Sequence, residues 1–130
     1  IDLNRTYKNK GIKKEVAIIT GYKAQKNLII RQLERYNIDE FANISIEVDT
    51  VDAFQGRETD IVIYSIVRSN TEGNLGFLKD SRRLNVSLSR GRELLIIIGD
   101  SQCIKVDKNN PFSNVYDYIL NNEKCIIMEV

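Results

Sequence analysis

An α/β architecture on a mostly parallel sheet is what this sequence predicts, and three observations carry the prediction. Asp60–Val67 (DIVIYSIV) and Leu94–Ile98 (LLIII) are nearly continuous apolar runs rich in β-branched residues, the pattern of strands covered on both faces. Strand-like and helix-like segments alternate along the chain. The length, 130 residues, suits one domain.

Taken in order, residues 1–14 are polar and basic with a break at Gly11, and read as the end of an upstream helix and a turn. Val16–Thr20 (VAIIT) is a short buried-strand pattern closed by Gly21. Lys23–Tyr36 reads as a helix, with Ile29, Ile30, Leu33 and Tyr36 inside an arc of about 120°. Ala24 and Leu28 widen that apolar side, so the helix is expected to pack firmly on the sheet. Ile44–Val48 (ISIEV) alternates like a half-exposed strand. Asp60–Val67 follows, then a loop over Ser69–Asp80 containing Gly73 and Gly76. Ser81–Arg90 is a short helix, and Leu94–Ile98 a strand. Pro111 suits the first turn of a last helix reaching about Asn121. Lys124–Val130 reads as a final strand. Val16–Thr20, Asp60–Val67 and Leu94–Ile98 are expected to be the inner strands.

Composition excludes several chemistries. The chain has no histidine, so a Ser-His-Asp triad, a Cys-His pair and a histidine metal site are all ruled out. Its two cysteines, Cys103 and Cys125, are far apart, and nothing points to an oxidising compartment. No apolar stretch approaches the roughly 18 residues of a membrane span, and no signal peptide is visible. A soluble, intracellular (cytoplasmic) chain without a membrane partner is therefore expected. It begins at Ile1 and not Met, which suggests a fragment of something longer. The formal net charge is +1, but residues 1–35 carry nine positive and three negative groups and residues 36–67 one positive and seven negative. A basic segment beside an acidic one suits either a phosphate-facing edge or a solvated face.

Two segments carry chemistry. Thr50–Glu58 (TVDAFQGRE) lies between two strands, where loops at the carboxyl ends of an open α/β sheet form a ligand crevice. Thr50 offers a hydroxyl, Gln55 an amide, Gly56 close backbone approach and Glu58 a carboxylate; on these residues alone the segment serves equally as a polar connection. Arg82–Arg92 (RRLNVSLSRGR) places four arginines in eleven residues. Arg83 and Arg90 are seven apart and can share a helix side, where guanidinium groups bind phosphate bidentately. A basic helix paired with the acidic segment is the other reading.

Together these residues closely resemble motifs V and VI of the Upf1-like branch of superfamily 1 helicases, whose patterns are of the SVDAFQGRE and RRLNVALTRAR types. Val62–Asn70 (VIYSIVRSN), Asn74–Asp80 (NLGFLKD) and Ile18–Gln25 (IITGYKAQ, against the family's TPYxAQ) extend the resemblance over about residues 16–100. It implies a RecA-like three-layer α/β/α domain, the second of two motor domains, with residues 1–130 a fragment of a larger protein. It implies an ATP-dependent helicase moving 5′ to 3′ on single-stranded DNA or RNA, with ATP and Mg2+ held between this domain and the first RecA-like domain of the same polypeptide. Gln55, Gly56 and Glu58 line the nucleotide side by this carry-over, and Arg90 is the catalytic arginine finger. Thr20, Tyr22 and Thr50 lie at the nucleic-acid strand. Arg83 is expected to pair with an acid such as Asp52, Glu58 or Asp60.

Two departures stand out: Gly21 where the family often has proline, suggesting a looser turn, and Gly91 where a residue such as alanine is usual. No GxxxxGK[ST] loop, metal-holding Asp-Glu pair or QYRMHP segment occurs in the chain, so the metal is assigned to the first domain. The isolated chain is expected to be inactive. The rival readings are a non-catalytic nucleic-acid-binding or adaptor module of the same fold, and a helicase domain within a nuclease or modification protein.

Overall fold

The computed structural model describes residues 2–36 and 41–128. Helix α1 (Asp2–Lys10) ends at Gly11, whose φ of 64° turns the chain into β1 (Lys14–Thr20). Helix α2 (Lys23–Leu33) leads to β2 (Ile44–Thr50), and residues 51–58 connect directly to β3 (Thr59–Ser65). A 3-10 turn at Gly76–Lys79 precedes α3 (Ser81–Leu88), β4 (Gly91–Ile98), α4 (Ser101–Val106) and α5 (Pro111–Leu120).

The four strands form one sheet in the order β2-β1-β3-β4, and every pairing is parallel. β1 aligns Val16 with Ile46 and Ile61, and Thr20 with Thr50 and Ser65. Side chains alternate across a strand, so β1 and β3 each feed two cores. Ala17, Ile19, Val62 and Tyr64 join Leu75, Leu78, Leu84, Ile104 and Phe112 in the larger one, under α3, α4 and α5. Val16, Ile44 and Ile61 form the smaller one, with Tyr7 of α1 and Phe41 packed against it. Helices thus cover both faces, the three-layer α/β arrangement of a RecA-like fold.

Tyr64 and Phe112 anchor the larger core, both almost fully buried, with ring centroids 5.7 Å apart. Cys103 is a free thiol inside it, as a small apolar residue would be.

Several expectations require correction. Val16–Thr20 and Asp60–Val67 supply inner strands, but Leu94–Ile98 lies in β4 at the end of the sheet. Leu94 and Ile98 are 40% and 57% exposed. A continuous apolar run reports cover on its faces, not a hydrogen-bonded neighbour on each side. Among the described residues of the expected last strand, 124–128 form none; 129 and 130 lie outside the described residues. Helix α2 stops at Leu33, and none of its residues is fully buried. It lies over β1 and β2, towards one side of the sheet, so its wide apolar face is only half covered. Helix α4 was not anticipated: six residues are too few for a helical period to register.

Candidate functional site

Because all four strands point the same way, residues 51–58 must return the chain from the carboxyl end of the sheet to its amino end. They begin as a turn, in which Val51 N–H donates to Thr20 O at 3.1 Å and Phe54 N–H to Thr50 O at 2.9 Å. Val51 and Phe54 are buried in the larger core. Gln55, Gly56, Arg57 and Glu58 are left exposed, with Gly56 at a φ of 82°.

Arg57 pins this connection to β2. Its guanidinium pairs with Glu47, donates to Asp49 at 2.8 Å and to Ala53 O at 3.2 Å, and lies 4.6 Å from the Phe54 ring centre. In the sequence, only the acids at alternate β2 positions, Glu47 and Asp49, signal this role. Burial works against the Asp49 carboxylate, but Lys26, the Thr50 N–H and Arg57 outweigh it and hold the group below its ordinary range.

At the amino end, Thr59 N–H donates to Arg90 O at 3.1 Å, and Thr59 aligns with Gly91. Glu58 and Arg90 therefore precede neighbouring strand starts, although 32 residues separate them in the chain. Arg90 is half-buried, and its Nε is buried without a hydrogen-bond partner among the described residues. Glu58 pairs with neither Arg90 nor any other described residue, so among the described residues this end holds a guanidinium and a carboxylate without ion-pair partners. Gln55 and Gly56 lie partway along the connection and make no side-chain contact with either.

The crevice rule thus needs correction here. Glu58 and Arg90 sit at the amino ends of β3 and β4, whereas Thr20, Tyr22 and Thr50 sit at the carboxyl ends of β1 and β2. Thr20 needs a second correction: it is fully buried and its hydroxyl has no partner among the described residues, so in this conformation it offers a ligand nothing. Tyr22 and Thr50 are half-buried. The side chain of Arg83 lies outside the described ones. Asp60, one of its expected partners, is engaged by Arg92 at 2.8 Å and by the Glu15 N–H at 2.9 Å. Arg82 is exposed, 3.7 Å from Asp80, the residue that caps α3. At Gly91 an added Cβ would stand 2.9 Å from Leu94 O, which accounts for glycine in place of the family's usual residue.

Among the described residues, no group of three or more acids and cysteines could hold a metal ion. No helix among them is long and apolar enough to cross a membrane.

Comparison with known proteins places this geometry in a family. Residues 2–102 match the model of an AAA domain family. An ATP-dependent helicase of Methanocaldococcus jannaschii is 47% identical over 91 residues, which is 70% of this chain and 12% of that protein. The ATP-dependent helicase NAM7 of Saccharomyces cerevisiae is 42% identical over 96 residues, 72% of this chain and 10% of its own length. The regulator of nonsense transcripts 1 of Dictyostelium discoideum is 44% identical over 96 residues, 72% of this chain and 7% of its own. The chain thus spans about a tenth of the length of these relatives. With a matched AAA domain over most of its length and helicases at these identities, the chain belongs to the Upf1-like superfamily 1 helicase domains.

Proposed function

We propose that this chain is the C-terminal motor domain of an ATP-dependent nucleic-acid helicase working 5′ to 3′, and that it lends motifs V and VI to an ATP site shared with a first RecA-like domain. The carrying observation is the pair at the amino ends of β3 and β4. Among the described residues, Arg90 has a buried Nε without a hydrogen-bond partner, and Glu58, exposed at the start of the neighbouring strand, has no counter-ion. Burying a guanidinium donor without an acceptor costs stability, and an incoming phosphate oxygen is an acceptor of suitable charge.

When bound, ATP supplies the phosphoryl bond whose hydrolysis drives the cycle, with Mg2+ held by the first domain. Arg90 acts as the arginine finger: its guanidinium offsets the charge that builds on the transferring phosphoryl oxygens. Glu58 accepts from ribose hydroxyls, and Gln55 and Gly56 line the same side of the nucleotide. Thr50 and Tyr22, at the other end of the sheet, touch the single strand of DNA or RNA. A change of distance between the two domains then moves one strand-binding surface against the other.

The test is steady-state ATPase of the full-length protein with and without single-stranded nucleic acid. Arg90→Ala is expected to lower turnover by about 10³-fold or more, with ATP binding largely kept, because a finger acts on charge formed in the transition state. Arg90→Lys should recover little, lacking the planar fork. The isolated chain, with no GxxxxGK[ST] loop, should release no phosphate. Near-wild-type turnover in Arg90→Ala would remove the residue from the reaction and favour a non-catalytic binding module.

A further inference from the structure

At the carboxyl end of β3 lies an arginine that neither motif V nor motif VI accounts for. Arg68 is exposed, and its Nε donates to the Tyr22 hydroxyl at 3.0 Å. The guanidinium carbon stands 5.4 Å from the Tyr22 ring centre. One of the five guanidinium N–H donors is thereby used. The terminal nitrogens find no acceptor and no carboxylate among the described residues. Asp100, an acid following the neighbouring strand, accepts from the Ser69 hydroxyl at 2.5 Å and from two N–H groups of α4.

The surroundings hold this arrangement in place. The Asn70 side chain accepts from the N–H groups of Glu72 and Asn74, and the Asn74 side chain from that of Gly76. This brings Gly76, at a φ of 60°, against the pair; a Cβ there would lie 2.9 Å from the Tyr22 hydroxyl and 3.5 Å from an Arg68 terminal nitrogen. A free surface arginine has rotamer entropy to lose on binding; this one has already lost part of it.

We propose that Arg68, oriented by Tyr22, binds a phosphodiester of a single nucleic-acid strand laid across the carboxyl ends of β2, β1 and β3. The assignment rests on the strand-binding reading of that end. The sheet order sets Thr50, the last residue of β2, Tyr22, two residues beyond β1, and Arg68, three beyond β3, at the carboxyl ends of successive strands, which lie about 4.8 Å apart. A polyanion crossing the sheet meets hydroxyl, tyrosine and guanidinium in turn. Phosphate oxygens take two parallel donors from such a group, and Lys23, the residue after Tyr22, adds a second exposed cation.

Fluorescence anisotropy with labelled oligo-dT and oligo-rU, over a series of salt concentrations, tests the proposal on the full chain. Arg68→Ala should weaken binding about tenfold and flatten the plot of log affinity against log salt by about one unit or slightly less. Tyr22→Phe removes the hydroxyl that orients the guanidinium and keeps its charge. It should weaken binding by roughly two- to threefold, an energy of less than one hydrogen bond, with the slope unchanged. Arg68→Lys should retain the slope but not the full affinity. Wild-type binding together with an unchanged affinity and slope in Arg68→Ala overturns the phosphate contact and leaves the strand-binding reading standing. A folded wild-type chain that binds neither oligonucleotide overturns both.

Discussion

Thr20 and Arg90 each bury a polar atom that has no partner among the described residues, yet their positions give the two different meanings. Arg90 is half-open at the sheet's amino edge, where a ligand can reach it. Thr20 is fully enclosed, and its hydroxyl carries a desolvation cost with no visible return. Thr20→Val, which replaces that hydroxyl by a methyl of similar shape, is therefore expected to be neutral or to stabilise by up to about 1 kcal/mol in urea denaturation. A clear destabilisation would show that the hydroxyl is partnered in solution. At this scale the sequence shows the chemical groups on offer: the amide of Gln55, the carboxylate of Glu58 and the guanidinium of Arg90 stand in local strings. It does not reveal burial. Thr20 ends an apolar run and precedes a glycine, a pattern compatible with a surface turn as much as with an interior. Nor does it reveal that Arg68 would find Tyr22, 46 residues away.

The elements owe their ends to caps that are mostly readable. Asp80 accepts from Arg82 N–H at the start of α3, and Asp100 from Gln102 and Cys103 N–H at the start of α4. The cap of α5 carries more. Asn110 is 1% exposed; its side-chain oxygen accepts from Ser113 N–H at 2.9 Å, while its amide donates to Ile104 O and Asp107 O. It thus ties the end of α4 to the start of α5, with Pro111 in the first turn where its missing N–H is harmless. Asn110→Ala should cost about 2–3 kcal/mol in thermal or urea unfolding, the sum of a lost cap and carbonyls left unpaired in the interior. A loss below about 0.5 kcal/mol would mean that water replaces these bonds. Pro111 signalled this helix in the sequence, whereas α4 is too short for any periodic signal.

Over the whole molecule, acids tie the strands at both ends of the sheet. Asp60 is held below the ordinary carboxylate range by the Glu15 N–H and by Arg92, and Asp49 by Lys26, the Thr50 N–H and Arg57 against the effect of its burial. A carboxylate whose pKa is lower folded than unfolded contributes stability that is complete above its unfolded value, about 3.9 for Asp. That contribution is lost as pH falls through the lower folded values. The melting temperature should therefore decline steeply below about pH 4, and Asp49→Asn should be less stable than wild type at neutral pH, with the difference narrowing on acidification. A constant difference between the two proteins across the range would refute this linkage. By itself, the sequence determined the class of fold, the type of most elements and the family, because side-chain period and chemical type are properties of neighbouring residues. Only the tertiary structure decided that β4 closes one side of the sheet, that Glu58 and Arg90 precede neighbouring strands at the amino ends, and that Tyr22, Thr50 and Arg68 share the opposite end. Those facts depend on which strand hydrogen-bonds to which and on where an eight-residue connection crosses the sheet, and such long-range pairings leave no local period in the chain.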